Sequence, residues 1–210
     1  LYGGDAGQMS FYNNVYKIFA KPFRLMFGLH IHGEENLPEE GGWLVCANHT
    51  SALDVIIVSL ATRRQVMYMA KAELFRVPVV RKLLSSLGAY PVHRGGADVT
   101  SIKKAISYLE EGDLVGIFPQ GTRRPKVDPR TTPVKHGVGL ISYRAKRGVI
   151  PMYIKTKNNH VRFFKRTDLY IGAPIEYGEL GFTDGGMKEY NAAAELVFDR
   201  ICTMGEAADK

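Results

Sequence analysis

Short apolar runs alternate with longer amphipathic stretches over most of this chain. The runs are rich in β-branched and aromatic residues and are bounded by glycine, proline or charged residues, which is typical of buried strands. The positions predicted as strands are Leu29–Gly33, Trp43–Ala47, Gln65–Ala70, Gly88–Val92, Leu114–Phe118, Val149–Lys155 and Leu169–Gly172.

Between most of these runs, apolar residues recur with a helical period. The positions predicted as helices are Ala52–Ala61, Val77–Ser86, Asp98–Glu110, Gly137–Arg147 and, approximately, Gly186–Met204. This alternation predicts an α/β fold, with a mainly parallel or mixed sheet flanked by helices on both faces. In such sheets ligands bind at the carboxyl ends of the strands, so the residues that directly follow each strand are the first candidates for a functional site.

The N-terminal stretch Ser10–Leu29 predicts an amphipathic helix, with aromatic and aliphatic residues on one side and basic and polar residues on the other. Such a helix suits a membrane interface, and packing against the protein's own core is the alternative. We interpret residues 1–8 as an artificial leader, residues 9–29 as membrane-associating helices and residues 30–210 as the main domain. No apolar run reaches the roughly 18 residues of a candidate spanning helix.

The formal net charge is +7, and much of the excess lies between Gln120 and Arg147, where Asp128 is the only acid. A basic block beside a glycine turn favours an anionic partner such as a phosphate or a lipid headgroup, and a solvated surface is the alternative. Nucleic acid is a less suitable partner, because few aromatic residues interleave these cations. Cys46 and Cys202 match no metal spacing, so we predict no metal site and a reducing compartment.

A histidine and an aspartate follow the predicted strand Trp43–Ala47. His49 lies at the strand end, and Asp54 lies in the first turn of the next helix, from which it can fold back onto the imidazole. A histidine oriented by a carboxylate can abstract a proton from an alcohol. The alternative is structural, because Ser51 and Asp54 have the spacing of a helix capping box.

Cations follow other predicted strands on the same side of the sheet. Lys71, Arg94 and Arg123 each come shortly after a strand, and Gly121 lies in the turn before Arg123. Lysine and arginine are the side chains that hold a phosphate dianion, and glycine lets the backbone approach a ligand closely. Together these residues predict an anion cradle beside His49.

Four ordered blocks now give the chain a resemblance to a known family. The blocks are Asn48-His49-x4-Asp54, Gly88 through Arg94, Phe118-Pro119-x-Gly121-Thr122-Arg123, and Val149-Ile150-Pro151-Met152. In this order they resemble the glycerophosphate and lysophosphatidate acyltransferases, and more narrowly the bacterial 1-acyl-glycerol-3-phosphate acyltransferases. The resemblance covers roughly residues 29–178 and makes residues 30–210 an expected acyltransferase domain.

The resemblance implies that acyl-ACP or acyl-CoA donates a fatty acyl group to the sn-2 hydroxyl of lysophosphatidic acid, giving phosphatidic acid. His49 is then the base, Asp54 orients it, and no cofactor takes part. Since no Gly-x-Ser-x-Gly elbow is present, no acyl-enzyme is expected. The enzyme is expected on the cytoplasmic face of the cell membrane as a peripheral (monotopic) protein. The residues expected to bind the phosphate and substrate are Lys71, Arg94, Gln120, Gly121, Thr122 and Arg123.

Position 120 departs from the family pattern, which usually has glutamate where this chain has Gln120. A natural variant, an inactivating substitution and a changed substrate preference are all open, and a neutral amide beside a phosphate favours the first because it avoids like-charge repulsion. Two other functions also stay open. One is a glycerol-3-phosphate acyltransferase, and the other is a non-catalytic binder of anionic lipid that is disabled at Gln120.

Overall fold

A seven-stranded mixed sheet forms the centre of the protein, with strand order β1-β7-β6-β2-β5-β3-β4. The structure is a computed structural model that describes residues 20–86, 88–92 and 99–208. Strands β6, β2, β5, β3 and β4 run parallel to one another, whereas β7 is antiparallel to β6 and β1 runs parallel to β7. The strands are β1 Leu29–His32, β2 Trp43–Ala47, β3 Val66–Lys71, β4 Ala89–Val92, β5 Leu114–Ile117, β6 Val149–Thr156 and β7 Thr167–Ile171.

Helices cover both faces of this sheet, which confirms the predicted fold class. The helices are α1 Asp54–Ala61, α2 Pro78–Ser86, α3 Val99–Glu110, α4 Gly137–Ala145 and α5 Met187–Ala207. Each helix and strand predicted from Leu29 onward is present, with ends that differ by a few residues at most. Helix α4 ends two residues earlier than predicted, because Lys146 takes the left-handed conformation (φ 50°) that closes the helix.

Alternate residues of β2 point to two separate apolar cores, as the period of a strand requires. Leu44 and Cys46 pack with the side chains of α3, α4 and α5. Val45 and Ala47 pack on the other face with those of α1 and with Phe27. Because β2 is buried on both faces, its position in the sheet is fixed. The position of the residues that follow its carboxyl end is therefore fixed as well.

Only part of the predicted N-terminal helix lies within the described residues. Residues 20–26 are helical, and Phe27 is fully buried beneath the sheet edge at β1. Residues 1–19, with most of the predicted amphipathic face and the predicted leader, lie outside the described residues. The division of the chain at residues 9 and 30 therefore stays a prediction.

Candidate active site

The carboxyl ends of three neighbouring strands bring the predicted site residues to one edge of the sheet. His49 follows β2, the loop that starts at Phe118 follows β5, and Lys71 ends β3. These strands lie in the order β2-β5-β3, so about 10 Å of sheet separates the ends of β2 and β3. The parallel pairing of these strands is what places a histidine, a glycine turn and a lysine at the same edge.

Asn48 fixes the chain at the point where it leaves β2. Its buried side-chain amide donates to the Ile154 carbonyl at 3.0 Å, and its side-chain carbonyl accepts from the Ile154 backbone N–H at 2.7 Å. This two-way bond replaces the next rung of the β2–β6 ladder. The following residue, His49, therefore starts from a rigid position.

His49 and Asp54 form the predicted pair, with 2.9 Å between His49 Nδ1 and Asp54 Oδ2. The carboxylate is fully buried and also accepts from the backbone N–H groups of Thr50 and Ser51, at 2.6 and 2.8 Å. The bond from the Ser51 N–H resembles one of the two bonds of a helix capping box. Asp54 therefore has the capping role that the sequence offered as an alternative, and it also orients the ring of His49. With Nδ1–H bound to Asp54, a neutral imidazole carries its free lone pair on Nε2.

One face of the His49 imidazole packs against the protein, and a small part of the side chain is exposed to solvent. Its ring stacks on Phe118, with 4.0 Å between centroids and planes 14° apart, and its side chain is 13% exposed. Phe118 is in turn stacked on Tyr68 of β3. The ring therefore has a fixed orientation and an exposed fraction through which a substrate can reach it.

Gln120 lies behind the histidine, which differs from the prediction that it binds the phosphate. The Gln120 side chain is buried, at 1% exposure. Its Oε1 accepts from the His49 backbone N–H at 2.6 Å, and its Nε2 donates to Thr132 Oγ1 at 2.7 Å. Both polar ends are satisfied within the protein, so Gln120 positions His49 and is not placed to contact a ligand.

The other predicted residues of the glycine turn are exposed beside the histidine. Gly121 has a φ of 68°, and its N–H donates to Phe118 at 2.9 Å, which closes the turn. Thr122 and Arg123 follow on the surface. The next residue, Arg124, donates its backbone N–H to the His49 carbonyl at 2.8 Å, so the turn is attached to the histidine segment itself.

Lys71 is exposed at the end of β3, and its neighbour in the register of the edge strand β4 is Val92. Arg94 comes two residues after Val92 and lies outside the described residues. The structure thus places Lys71 and Arg123 at the same sheet edge as His49. The contribution of Arg94 to the predicted cradle stays a prediction.

Sequence reasoning missed three residues around the histidine. Thr132 holds Gln120, and His160 lies with its Nδ1 3.4 Å from the Thr50 carbonyl. The Nε of Arg124 is buried and has no hydrogen-bond partner among the residues that the structure describes. His160 follows β6 closely, and its position after a parallel strand is the signal that would have identified it.

The two cysteines and His32 are not among the residues of the candidate site, and their contacts are those of structural residues. Burial raises the pKa of the Cys46 thiol, and it raises the pKa of Cys202 to about 11. His32 binds Asp168, with 2.9 Å between Nε2 and Oδ1, and stacks on Tyr170. Within residues 20–86, 88–92 and 99–208, no group of three or more His, Cys, Asp or Glu side chains could hold a metal ion.

The sequence that forms the sheet from β1 to β6 assigns the chain to the acyltransferases. The family model described as Acyltransferase matches residues 28–155, which is more than half of the chain, and the chain belongs to that family.

Individual relatives extend the similarity over most of the length. The chain is 31% identical over 172 residues to the 1-acyl-sn-glycerol-3-phosphate acyltransferase of Bacillus subtilis, covering 79% of this chain and 84% of that protein. It is 29% identical over 131 residues to the protein of the same description from Borreliella burgdorferi, covering 61% of this chain and 52% of that protein. The crystal structure of the 1-acyl-sn-glycerophosphate (LPA) acyltransferase PlsC from Thermotoga maritima has the same fold. Its TM-score is 0.71 at 24% identity, covering 98% of this chain and 85% of that chain.

Proposed function

We propose that this protein transfers a fatty acyl group from an acyl thioester to the free hydroxyl of 1-acyl-glycerol-3-phosphate, which yields phosphatidic acid. The observation that carries the proposal is the 2.9 Å contact between His49 Nδ1 and the buried Asp54 carboxylate. The names of the bacterial relatives support this choice of acceptor.

His49 is the general base in the proposed reaction. Its Nε2 takes the proton of the acceptor hydroxyl as the hydroxyl oxygen attacks the thioester carbonyl carbon. The tetrahedral intermediate then expels the thiolate, which recovers the proton from the imidazolium. The Asp54 carboxylate stabilises the imidazolium, and it is held in place because its Oδ2 accepts from the ring and from two backbone N–H groups. The products are the new oxygen ester and the free thiol.

The acceptor phosphate lies, in this proposal, against Lys71, Arg94, Gly121, Thr122 and Arg123. The exposed positions of Lys71 and Arg123 at the edge that carries His49 support the assignment. Holding the phosphate there fixes the distance between the hydroxyl and the imidazole, which converts binding energy into orientation.

The donor is acyl-ACP or acyl-CoA, and the acceptor is reached at a membrane surface. We propose a peripheral enzyme on the cytoplasmic face of the membrane, with residues 9–29 as one point of attachment. In the part of the chain that the structure describes, no helix combines the length and the hydropathy needed to cross a bilayer.

One kinetic assay tests the base and the cradle together. His49→Ala should lower kcat about 10²–10⁴-fold while the fold remains, because proton abstraction is lost. Arg123→Ala should mainly raise the KM for the acceptor, because the arginine binds the phosphate. A variant of His49 that keeps more than about a tenth of the wild-type rate would contradict the base assignment. An unchanged KM in the Arg123 variant would contradict the cradle.

The same assay separates the alternative functions. In this assay, glycerol 3-phosphate and 1-acyl-glycerol-3-phosphate are supplied together as competing acceptors. Preferential acylation of glycerol 3-phosphate would identify a glycerol-3-phosphate acyltransferase. A lipid-binding protein without activity would consume no thioester with either acceptor. The buried position of Gln120 speaks against disablement at that residue, because its side chain supports His49 through hydrogen bonds that need no negative charge.

A further inference from the structure

Three large apolar side chains are exposed together at one corner of the molecule. Leu25 is 82% exposed, Phe164 is 79% exposed, and Phe163 is about half exposed. Leu25 belongs to the helical residues 20–26, and the two phenylalanines belong to the loop of residues 157–166, which joins β6 to β7. Leu25 and Phe164 line the same open depression of about 590 Å³.

The loop is held in this exposed position by the protein. The Phe164 N–H donates to the Met26 carbonyl at 2.6 Å, and the ring of Phe163 stacks on the buried Phe27, with 5.2 Å between centroids. Phe164 has a φ of 58°, a left-handed conformation that is unfavourable for a residue with a bulky side chain. The fold thus keeps a strained aromatic residue fixed and pointing into solvent, where an isolated protein gains nothing from it.

Positive charge surrounds these apolar side chains. The loop contains Lys157, Arg162, Lys165 and Arg166 and no acidic residue. These four cations line a second open cavity of about 900 Å³ next to the first. The acid that faces them there is Asp168, which is already bound by Arg166 at 2.8 Å. The corner therefore presents apolar tips within a basic rim.

This corner lies at the edge of the sheet that carries the active site. Because β7 is antiparallel to β6, the loop between them leaves the sheet at the carboxyl end of β6. The backbone N–H of Lys126 donates to the Asn159 carbonyl at 3.0 Å, which attaches the loop to the glycine turn beside His49. His160, in the same loop, contacts the carbonyl of Thr50.

We propose that the 157–166 loop, together with Leu25, is a membrane-binding element that docks on an anionic lipid bilayer. Phe163, Phe164 and Leu25 enter the boundary between headgroups and acyl chains, and the cations of the loop contact the anionic headgroups. Aromatic and aliphatic tips combined with lysine and arginine are the pattern of an interfacial membrane site. An acidic soluble protein would match the rim but would leave the projecting phenylalanines without an apolar medium. Leu25 lies within residues 9–29, which are already proposed as a point of attachment, whereas the loop of residues 157–166 is a second, distant part of the chain.

Sedimentation of the full chain with vesicles tests the apolar tips. Phe164→Asn should lower the partition coefficient about fivefold or more on vesicles of phosphatidylcholine mixed equally with phosphatidylglycerol, because an interfacial aromatic group is removed. Asparagine tolerates the left-handed backbone, so this variant should fold. Met187→Asn is the matched control, because Met187 is exposed at the start of α5, towards the opposite edge of the sheet. It should bind as the wild type does.

The charge requirement is tested with a pair of double variants. Arg162→Gln with Lys165→Gln should lower binding to the anionic vesicles about tenfold at low salt and should change little on pure phosphatidylcholine, because only the anionic surface attracts these cations. Arg144→Gln with Lys146→Gln removes the same charge at the far end of α4 and should leave binding unchanged.

Insertion can be observed directly with a fluorescent reporter. Trp43 is the only tryptophan of the chain and lies at the start of β2, at the edge opposite the loop. In Phe164→Trp, lipids brominated on their acyl chains should quench the new tryptophan, and they should leave Trp43 of the wild type unquenched.

Three results would overturn the proposal. The first is wild-type binding by Phe164→Asn or no quenching in Phe164→Trp. The second is unchanged binding to the anionic vesicles by Arg162→Gln with Lys165→Gln, which would show that the cations of the loop do not contact the headgroups. The third is a dimer in sedimentation velocity that Phe164→Asn converts to a monomer, which would make the corner an interface between two copies.

Discussion

Gln120 connects His49, the proposed general base, to the loop that follows the glycine turn. Thr132 donates its hydroxyl to the Pro129 carbonyl at 2.6 Å, so its oxygen accepts from the Gln120 amide, and the amide carbonyl accepts from the His49 N–H. This chain of bonds assigns one orientation to the amide. A glutamate could still accept from His49, but its second oxygen would compete with Pro129 for the Thr132 proton.

Substitutions at Gln120 should therefore separate positioning from charge. Gln120→Leu keeps the size but leaves the His49 N–H without its acceptor, and we expect kcat to fall about 10–100-fold through loss of orientation. Gln120→Glu should keep more activity, because one carboxylate oxygen still accepts from His49. Steady-state kinetics with acceptor and donor varied separately provide the measurement.

The KM values distinguish this explanation from direct substrate binding. A positioning residue leaves the KM of the acceptor nearly unchanged in Gln120→Leu. If that KM rises while kcat is preserved, Gln120 contacts the substrate and the assignment is wrong. Thermal unfolding of both variants supplies the control for a general loss of structure.

Single residues of the site were predictable where the chemistry is local. His49 and Asp54 are five residues apart and lie between β2 and the first turn of α1, and Gly121 lies in the loop that follows β5. The spacing along the chain therefore predicts where each of these residues lies relative to its own strand. Gln120 was misassigned because the direction of its side chain depends on Thr132 and on β2, neither of which is apparent from the neighbouring residues.

At the scale of elements, close contacts between neighbours fix the site. Helix α4 packs against α5 at Gly139, where an added Cβ would lie 2.2 Å from the Tyr190 carbonyl oxygen. Helix α4 begins directly after the loop that carries the glycine turn, and the N–H of Lys135 donates to the Pro119 carbonyl at 2.8 Å. Packing of α4 on α5 thus determines where that loop ends.

Gly139→Ala should lower the free energy of unfolding by about 1–3 kcal/mol, because the backbone of α5 must move to admit a methyl group. Gly137→Ala in the same helix is the matched control, since an added Cβ there meets no atom within 4 Å. The control should be neutral or stabilising by up to about 1 kcal/mol. Equal effects of the two substitutions in denaturant unfolding would show that helix propensity, and not the contact with Tyr190, decides the result.

The proline of the fourth sequence block also has an explanation at this scale. Pro151 lies inside β6, where a missing N–H normally breaks a ladder. Its carbonyl accepts from Gly172 at 2.9 Å, so its nitrogen faces the same side, just beyond the point where the β6–β7 ladder ends at Met152 and Ile171. The proline therefore removes one hydrogen bond at the end of the β6–β7 ladder and leaves the rest of the ladder intact.

Across the whole molecule, the basic block of the sequence divides into parts with different surroundings. Arg123 lies beside the active site, whereas Arg130 binds Asp199 and Glu206 of α5. Arg147 donates to the Leu109 carbonyl at 3.2 Å at the far end of α4. The basic block between Gln120 and Arg147 therefore does not form one anion-binding surface. The basic corner at the 157–166 loop lies outside this block, in a segment that the charge distribution along the sequence did not single out.

Asp168 joins the two strands that run against the rest of the sheet. Hydrogen bonds from Arg166, and further from His32 of β1, lower the pKa of this carboxyl to about 2, against the opposing effect of burial. Its pKa in the unfolded chain is near the ordinary value of 3.8. Because the folded pKa is the lower one, the ionised group stabilises the fold above about pH 4, and this contribution disappears as the pH falls towards 2.

Asp168→Asn should therefore cost about 1–2 kcal/mol of unfolding free energy at pH 5, and the gap from the wild type should close between about pH 4 and pH 2. Asp199→Asn is a control, because this exposed carboxylate should contribute less than about 1 kcal/mol. Urea unfolding at several pH values gives the measurement. A gap that stays constant down to pH 2 would mean that Asp168 acts through packing and not through its charge.

The sequence by itself determined the succession of strands and helices, the α/β class, and the residues that meet through local spacing. Hydrophobic period and strand length depend on neighbouring residues, which is why these features can be read along the chain. The tertiary structure decided the strand order, the reversal of β1 and β7, the inward direction of Gln120 and the exposed corner at Phe164. Each of these depends on which distant segments pack or bond together, such as Phe163 on Phe27 and Thr132 on Gln120, and spacing along the chain does not encode those contacts.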